Sequence, residues 1–207
     1  MEFVDRLKEP VLEMQKLAST LVLAISVALL APLRAEDSVL VFAPAQTGVH
    51  WTLGTLLHTV HGTFRLKAGS IHFDRATGKA SGEIVIDALS GESGNSSRDS
   101  KMHSNILESE IFHQIVFRPD HVSGQIPTQG PGKLQVHGTF ELLGKPHEFT
   151  LPVELQVDAA QIAVKSEFHV PYIQWGLKNP STFILKVDDN VLVDITASAR
   201  VEGQGTH

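Results

Sequence analysis

The sequence predicts an all-β fold of about eight strands with one short helix. Apolar and polar residues alternate along most of the chain after residue 36, and short polar, turn-rich segments separate the alternating stretches. A helical spacing of apolar residues occurs in one short segment between Ser97 and Leu107. Because successive side chains of a strand point to opposite faces, the alternation predicts strands that each have one apolar face.

The clearest pair of predicted strands lies in residues 133–157. Gly144, Lys145 and Pro146 form a short turn between two alternating stretches, which is typical of an antiparallel hairpin. The apolar residues on one parity are Leu134, Val136, Phe140 and Leu142 before the turn, and Phe149, Leu151, Val153, Leu155 and Val157 after it.

Six further stretches show the same alternation. In the stretch 64–73, Phe64, Leu66 and Ala68 share a parity. In the stretch 39–41, Val39 and Val41 share one. Eight strands with one apolar face form either a sandwich or a closed barrel, and periodicity alone does not choose between them. A closed barrel of eight strands is wide enough for a small ligand and has no exposed edges. The six stretches are 39–41, 64–73, 84–86, 115–117, 162–170 and 191–201.

The helical segment follows a polar turn. Met102, Ile106 and Leu107 fall on one side of a helix. Asn95 or Ser97 is expected to cap its N-terminus, where an acidic residue in the first turn is also favourable. A short helix of this kind beside a barrel mouth is expected to act as a lid.

Composition excludes several classes of function. The chain has 207 residues and a formal net charge of -6, and its basic residues are scattered, which argues against nucleic acid as a partner. It has no cysteine, so it forms no disulfide and uses no thiol nucleophile. The acidic residues lie mostly on turns or polar parity, and neither a G-x-S-x-G elbow nor a glycine-rich phosphate loop occurs. We therefore predict that the protein is not an enzyme.

The N-terminal region predicts export. From Met14 the chain has a basic start, an apolar run at Leu21–Leu30 and a small residue at Ala35, which is the layout of a secretory signal peptide. We expect Met14 to be the true start and cleavage to follow Ala35. Residues 1–35 are then an extension plus signal peptide, and residues 36–207 form one domain, soluble in the periplasm or secreted. An uncleaved N-terminal anchor is the alternative.

The 11 histidines raise the question of a metal or haem site. His58 and His61 are three residues apart, so they face opposite sides if they share a strand. His61 and His137 each lie in a V-H-G-T-F pentapeptide, and His137 is on the polar parity of its strand. Because no H-E-x-x-H or similar spacing occurs, we predict surface histidines and no metal, with a metal or haem site as the alternative.

The segment around the helix carries a distinctive set of residues: Arg98, Asp99, Met102, His103, Leu107, Glu108, Ile115 and Phe117. This set resembles the hallmark segment of the YceI-like family of periplasmic lipid-binding proteins. The segment departs from the family at His113, where a proline is usual. Val60–Phe64, Gly69–Asp74 and Trp175–Leu177 also resemble family elements, as does the turn that ends at Lys145.

The resemblance implies an extended, lipocalin-like antiparallel β-barrel of about eight strands with the short helix near its mouth. It also implies non-covalent carriage of a long-chain apolar lipid, polyisoprenoid or quinone-like, with no other cofactor, and a homodimer in some members. Two alternatives remain open. One is a scaffold with a filled core that acts through a protein partner, and the other is a haem- or metal-binding variant.

A lipid carrier of this family would line its barrel with apolar side chains. Each aromatic residue in the expected lining has a second interpretation as ordinary core. Arg98 is a candidate contact for a lipid headgroup, and its alternative role is a local link with Asp99 that fixes the turn. The expected lining is Phe64, Leu66, Phe73, Ile84, Ile86, Met102, Ile106, Phe117, Phe140, Phe149, Phe168 and Trp175.

Overall fold

The computed structural model describes residues 37–159, 161–181 and 186–203. The predicted start at Met14, the signal peptide and the cleavage after Ala35 lie outside these residues. Across the described ranges, no helix combines the length and the apolar character that crossing a bilayer requires.

The described residues form one antiparallel sheet that closes on itself. Each strand from β2 to β8 pairs with the next one along the chain, and β9 pairs back with β2, so the sheet becomes a closed up-and-down barrel. The strands are β1 (Asp37–Phe42), β2 (Gly48–Gly54), β3 (Thr59–Asp74), β4 (Ala80–Glu92), β5 (Gln114–Gly124), β6 (Gly130–Leu142), β7 (Lys145–Val157), β8 (Ile162–Val170) and β9 (Val191–Gly203).

Two of these nine strands occupy a single position in the barrel. β1 pairs with the end of β3 and the end of β9, whereas β2 pairs with the beginning of each. A short 3-10 turn at Pro44–Gln46 separates them. The barrel therefore has eight strand positions, which confirms the predicted eight-stranded barrel and decides against a sandwich.

The helix forms where the sequence predicts it. Helix α1 (Ser96–Lys101) continues directly into a π-helical turn at Met102–Ile106. The side chain of Asn95 caps the helix by accepting the backbone N–H of Arg98 at 3.0 Å, and Asp99 lies in the first turn. The Asn95 contact satisfies one of the amide groups that a helix start leaves unpaired, and a carboxylate in the first turn is favourable there.

Antiparallel connection order places the helix at one end of the barrel. In an up-and-down barrel alternate connections lie at the same end, so the β2–β3, β6–β7 and β8–β9 connections share the end of the β4–β5 connection that contains α1. We call it the helix end. The opposite end carries the turns at 75–79 and 125–129. The helix end consists of the connections 55–58, 93–113 and 143–144 and of the described parts of the β8–β9 connection, 171–181 and 186–190.

Irregular pairing changes which side chains point inward. A bulge between Leu66 and Ala68 on β3 shifts the alternation by one residue, so Ala68 is exposed and the prediction that it shares the face of Leu66 is wrong. Bulges of this kind bend a strand and re-aim its side chains. On β1 the pairing is regular, and the side chains that line the interior are those of Ser38, Leu40 and Phe42, and not those of Val39 and Val41.

The repeated pentapeptide V-H-G-T-F has the same layout in both copies. In each copy the glycine falls on the inward parity, where a Cβ atom would overlap a neighbour. At Gly62 the neighbour is the indole of Trp51, and at Gly138 it is the backbone of Arg118 and Pro119. Each glycine thus allows a group on the neighbouring strand to pack closely against the backbone.

Candidate binding cavity

The barrel encloses a cavity of about 1060 Å³. Sites for small molecules usually measure about 300–1,000 Å³, so this cavity has room for a large ligand. Apolar side chains on the inward parity of every strand line it. The interior is therefore not filled by its own side chains, which removes support from the alternative of a scaffold with a filled core.

Ten of the twelve residues expected to line the interior do line the cavity. The two exceptions are Phe149 and Trp175, which pack beside it. The ten are Phe64, Leu66, Phe73, Ile84, Ile86, Met102, Ile106, Phe117, Phe140 and Phe168.

Phe149 and Trp175 belong to an aromatic cluster at the helix end. The ring of Phe149 meets those of Phe140 and Phe168 edge-on, with centroids 6.1 and 5.6 Å apart. Trp175 packs edge-on against Phe149 at 5.4 Å and stacks on His147 at 4.4 Å. Burial, with a smaller contribution from a nearby lysine, lowers the pKa of His147, so its ring is neutral near pH 7. The cluster packs one side of the barrel end.

Several cavity residues were not identified from the sequence. Trp51 and Leu53 lie on β2, a strand that is not among the predicted ones, although Val49, Trp51 and Leu53 do alternate with polar residues. That alternation was the available signal. Ile71, Leu151, Val193 and Ile195 also line the cavity, and the alternation had placed them on apolar strand faces without naming them as lining residues. Val60 lines it from the family element Val60–Phe64.

Polar residues line the cavity where it reaches the helix end. We call this set the polar rim. Three of its members are cations, a fourth cation (Arg75) lines the cavity at the opposite end, and the described lining includes no carboxylate, although the chain as a whole is acidic. The polar rim consists of Thr55, His58, Asn95, Ser97, Arg98, Lys101, Asn105, Lys178 and Asn179.

Arg98 and Asp99 both hold the turn that enters the helix. Arg98 donates from Nε to the hydroxyl of Ser93 at 2.7 Å and from Nη2 to its carbonyl at 2.9 Å. Asp99 accepts the backbone N–H of Ser93 at 2.9 Å and also its hydroxyl. Arg98 and Asp99 do not form an ion pair with each other. Within the described ranges, Nη1 of Arg98 has no protein acceptor, so this part of the guanidinium is available at the polar rim.

His103 fastens the helix to the barrel wall. Its Nε2 lies 2.8 Å from the carbonyl of Gly91 on β4, and its Nδ1 lies 2.8 Å from the hydroxyl of Ser109. A carbonyl only accepts, so Nε2 carries a proton, and in the neutral tautomer that this contact selects Nδ1 accepts from Ser109. The Ser109 side chain is 0% exposed. His103 is one of the residues that match the family's hallmark segment, but the sequence by itself indicates no role for it.

The connection between β8 and β9 is tied down at two points. Tyr172, which lines the cavity, donates its hydroxyl to the carbonyl of Asp188 at 2.7 Å. Burial, with smaller contributions from Asp189 and Asp188, raises the pKa of Tyr172 to about 12, so the phenol is neutral. Lys178 pairs with Glu108 at 3.1 Å, which joins this connection to the turn after the helix.

Three titratable side chains meet on the outer wall of the barrel. His137 lies between Asp120, 2.8 Å from its Nδ1, and Glu148, 3.4 Å from its Nε2. A bulge on β5 next to Asp120 brings that carboxylate to β6. One ligand atom from each of the three residues lies within 4.8 Å of the other two, which is close enough for all three to bind one metal ion. They form the candidate metal-binding group within the described ranges. The prediction that the protein binds no metal stays a prediction.

The group formed by Asp120, His137 and Glu148 predicts that the stability of the fold depends on pH. The hydrogen bond with Asp120, followed by attraction from Asp120 and Glu148, raises the pKa of His137 above its ordinary value. The folded protein therefore holds this proton more tightly than the unfolded chain. The resulting stabilisation is fully present below about pH 6.5 and is lost as pH rises through the raised pKa. We expect Asp120→Asn to return the pKa of His137 towards its ordinary value, measured by NMR titration of the ring. An unchanged pKa in this variant would contradict the assignment.

The comparisons with known proteins agree with this geometry. A family model described as the YceI-like domain matches residues 40–199, which include all of β2 to β8 and most of β9. The chain belongs to the YceI-like family. No curated protein is similar enough to this chain to count as a match.

Several solved structures share the fold. BcnA of Burkholderia cenocepacia is 17% identical with a TM-score of 0.61, over 76% of this chain and 98% of that one. A polyisoprenoid-binding domain from Saccharophagus degradans is 17% identical with a TM-score of 0.62, over 82% and 100% of the two chains. The YceI protein of Campylobacter jejuni is 17% identical with a TM-score of 0.56, over 72% and 88%.

Proposed function

We propose that this protein binds a long-chain apolar lipid non-covalently inside its barrel and carries it outside the cytoplasm. The observation that carries the proposal is the cavity of about 1060 Å³ with an apolar wall. The structurally similar domain from Saccharophagus degradans is described as polyisoprenoid-binding, which supports the same ligand class here. A polyisoprenoid or a quinone-like lipid fits this description.

The energetics of the cavity suit such a ligand. Each CH₂ group moved from water into an apolar site contributes about 0.8 kcal/mol, so ten of them contribute roughly 8 kcal/mol before the costs of association. Affinity of this size needs few polar contacts. The inward-facing leucine, isoleucine, valine and phenylalanine side chains supply the apolar surface.

The polar rim is the expected position of the lipid headgroup. Arg98 and Lys101 supply positive charge there, and no described lining residue is a carboxylate, although the lining residue Lys178 is paired with Glu108. The free edge of the Arg98 guanidinium suits an oxygen-bearing headgroup, because its planar fork donates two parallel hydrogen bonds. The proposal therefore keeps Arg98 as the headgroup contact, in addition to its role in holding Ser93.

Binding without catalysis remains part of the proposal. The described lining lacks the paired carboxylates that general acid–base chemistry would use. The homodimer implied by family resemblance and export from a signal peptide are also parts of the proposal. Sequencing of the N-terminus of exported protein tests the second, with Glu36 expected as the first residue.

The binding proposal is tested by solvent extraction of freshly purified protein followed by mass spectrometry. We expect a stoichiometric long-chain lipid in the extract. A clean extract from protein isolated from its native compartment would favour a scaffold that acts through a protein partner. An absorbance scan of the same sample detects haem, and a haem spectrum would favour the other alternative.

A further inference from the structure

Two adjacent leucines project from the helix end of the barrel. Leu56 is 71% exposed and Leu57 is 74% exposed. They form the tip of the turn that joins β2 to β3. Single exposed leucines are common on protein surfaces, but two neighbouring ones at the tip of a turn make a compact apolar projection that water solvates poorly.

The turn that carries the leucines is held in place. The backbone N–H of Thr55 donates to the carbonyl of His58 at 3.0 Å, and the Thr55 hydroxyl accepts the N–H of His58 at 3.1 Å. The N–H of Leu56 donates to the carbonyl of Lys186 at 3.0 Å, on the connection between β8 and β9. The leucine pair is therefore presented on a supported turn, and its exposure is a feature of the fold.

The leucine pair also lies directly beside the cavity. Thr55 and His58, the residues on either side of it, both belong to the polar rim. A surface that engages the leucine pair would therefore meet the rim as well. The cations Arg98 and Lys101 would then face that surface, together with Lys178 in its pair with Glu108.

Carboxylates at the helix end offset much of the positive charge of the polar rim. Asp99 is turned onto Ser93, and Glu108 is paired with Lys178. Glu110, Asp188 and Asp189 also belong to this end of the barrel. Attachment through the leucines therefore needs to supply most of the affinity, with a smaller share from attraction between the rim and anionic headgroups.

We propose that the Leu56–Leu57 turn inserts into the surface of a phospholipid bilayer and so places the polar rim against the membrane. This proposal rests on the proposed function, because docking would let an apolar cargo pass between bilayer and barrel without crossing water. The occupant is a bilayer and not a protein groove, since the two side chains project from the tip of a turn whose flanking residues, Thr55 and His58, line the apolar cavity that would receive a lipid. Arg98 and Lys101 line the same end of that cavity and would meet lipid headgroups in the docked protein.

The test is flotation of the full-length mature protein with vesicles of equimolar phosphatidylethanolamine and phosphatidylglycerol. We compare wild type with the double variant Leu56→Asn, Leu57→Asn. Removing two inserted leucines is expected to weaken vesicle binding by roughly a hundredfold. Both side chains are exposed, so the double variant should fold, which circular dichroism checks.

Leu89→Asn is the matched control. Leu89 is 52% exposed, but it lies within β4 on the barrel wall and not on a turn. The hydroxyl of its neighbour Ser90 accepts the N–H of Arg65 within β3, which fixes this position on the wall. We expect this variant to bind vesicles as wild type does. Wild-type protein that stays off the vesicles, or equal loss of binding in the control and the double variant, would overturn the docking proposal.

The outcomes separate docking from lipid carriage. Protein that contains extractable lipid but does not float with vesicles refutes docking and leaves carriage intact. Protein that floats through its leucine pair but never contains lipid refutes carriage and leaves docking intact.

Discussion

Replacing Ala197 with Trp is expected to exclude lipid from the barrel while leaving the barrel folded. Ala197 is a small residue on the inner face of β9 and lines the cavity. An indole at this position would occupy space that a lipid chain needs. We expect the ratio of extracted lipid to protein, measured by mass spectrometry, to fall by about tenfold or more, because each displaced CH₂ group forfeits about 0.8 kcal/mol.

The matched control is Ala163→Trp on the neighbouring strand β8. Ala163 is exposed on the outer face and pairs with Ser198, next to Ala197 in the chain. The same substitution there should leave the lipid ratio unchanged. If Ala197→Trp keeps its full lipid content with a native circular dichroism spectrum, the cargo does not lie in the interior, and the proposed function fails.

Replacing His103 with Ala is expected to lower the free energy of unfolding by about 2–4 kcal/mol. The change removes the partners of two groups, the carbonyl of Gly91 and the fully buried hydroxyl of Ser109. A buried polar group left without a partner costs about 1–3 kcal/mol, and two are affected here. Urea denaturation monitored by circular dichroism measures the difference.

His169→Ala is the control for this prediction. His169 is exposed on β8, and such surface substitutions usually change stability by less than about 0.5 kcal/mol. If the two variants are equally stable, then His103 does not fasten the helix to β4 as the hydrogen bonds indicate.

The regular strands were predictable from local pattern. On β6, the inward residues Leu134, Val136, Phe140 and Leu142 carry their own signal, because burial of one face imposes a period of two on the sequence. The cap at Asn95 was also predictable from neighbouring residues. Its side chain accepts a hydrogen bond from the backbone N–H of Arg98, only three residues further along the chain.

Other features depend on residues distant in the chain. The run Val39–Phe42 is apolar on both parities, so only its pairing with β3 and β9 decides that Leu40 and Phe42 face inward. Phe149 has the parity of a lining residue, but the rings of Phe140 and Trp175 enclose it.

By itself the sequence determined an all-β chain with one short capped helix, because strand and helix periods and caps are written in neighbouring residues. The tertiary structure alone decided that the sheet closes through β9 and β2, that a large cavity remains inside, and that His103 joins the helix to Gly91. Closure, empty volume and buried hydrogen bonds arise between residues far apart in the chain, and no local pattern records the distances between them.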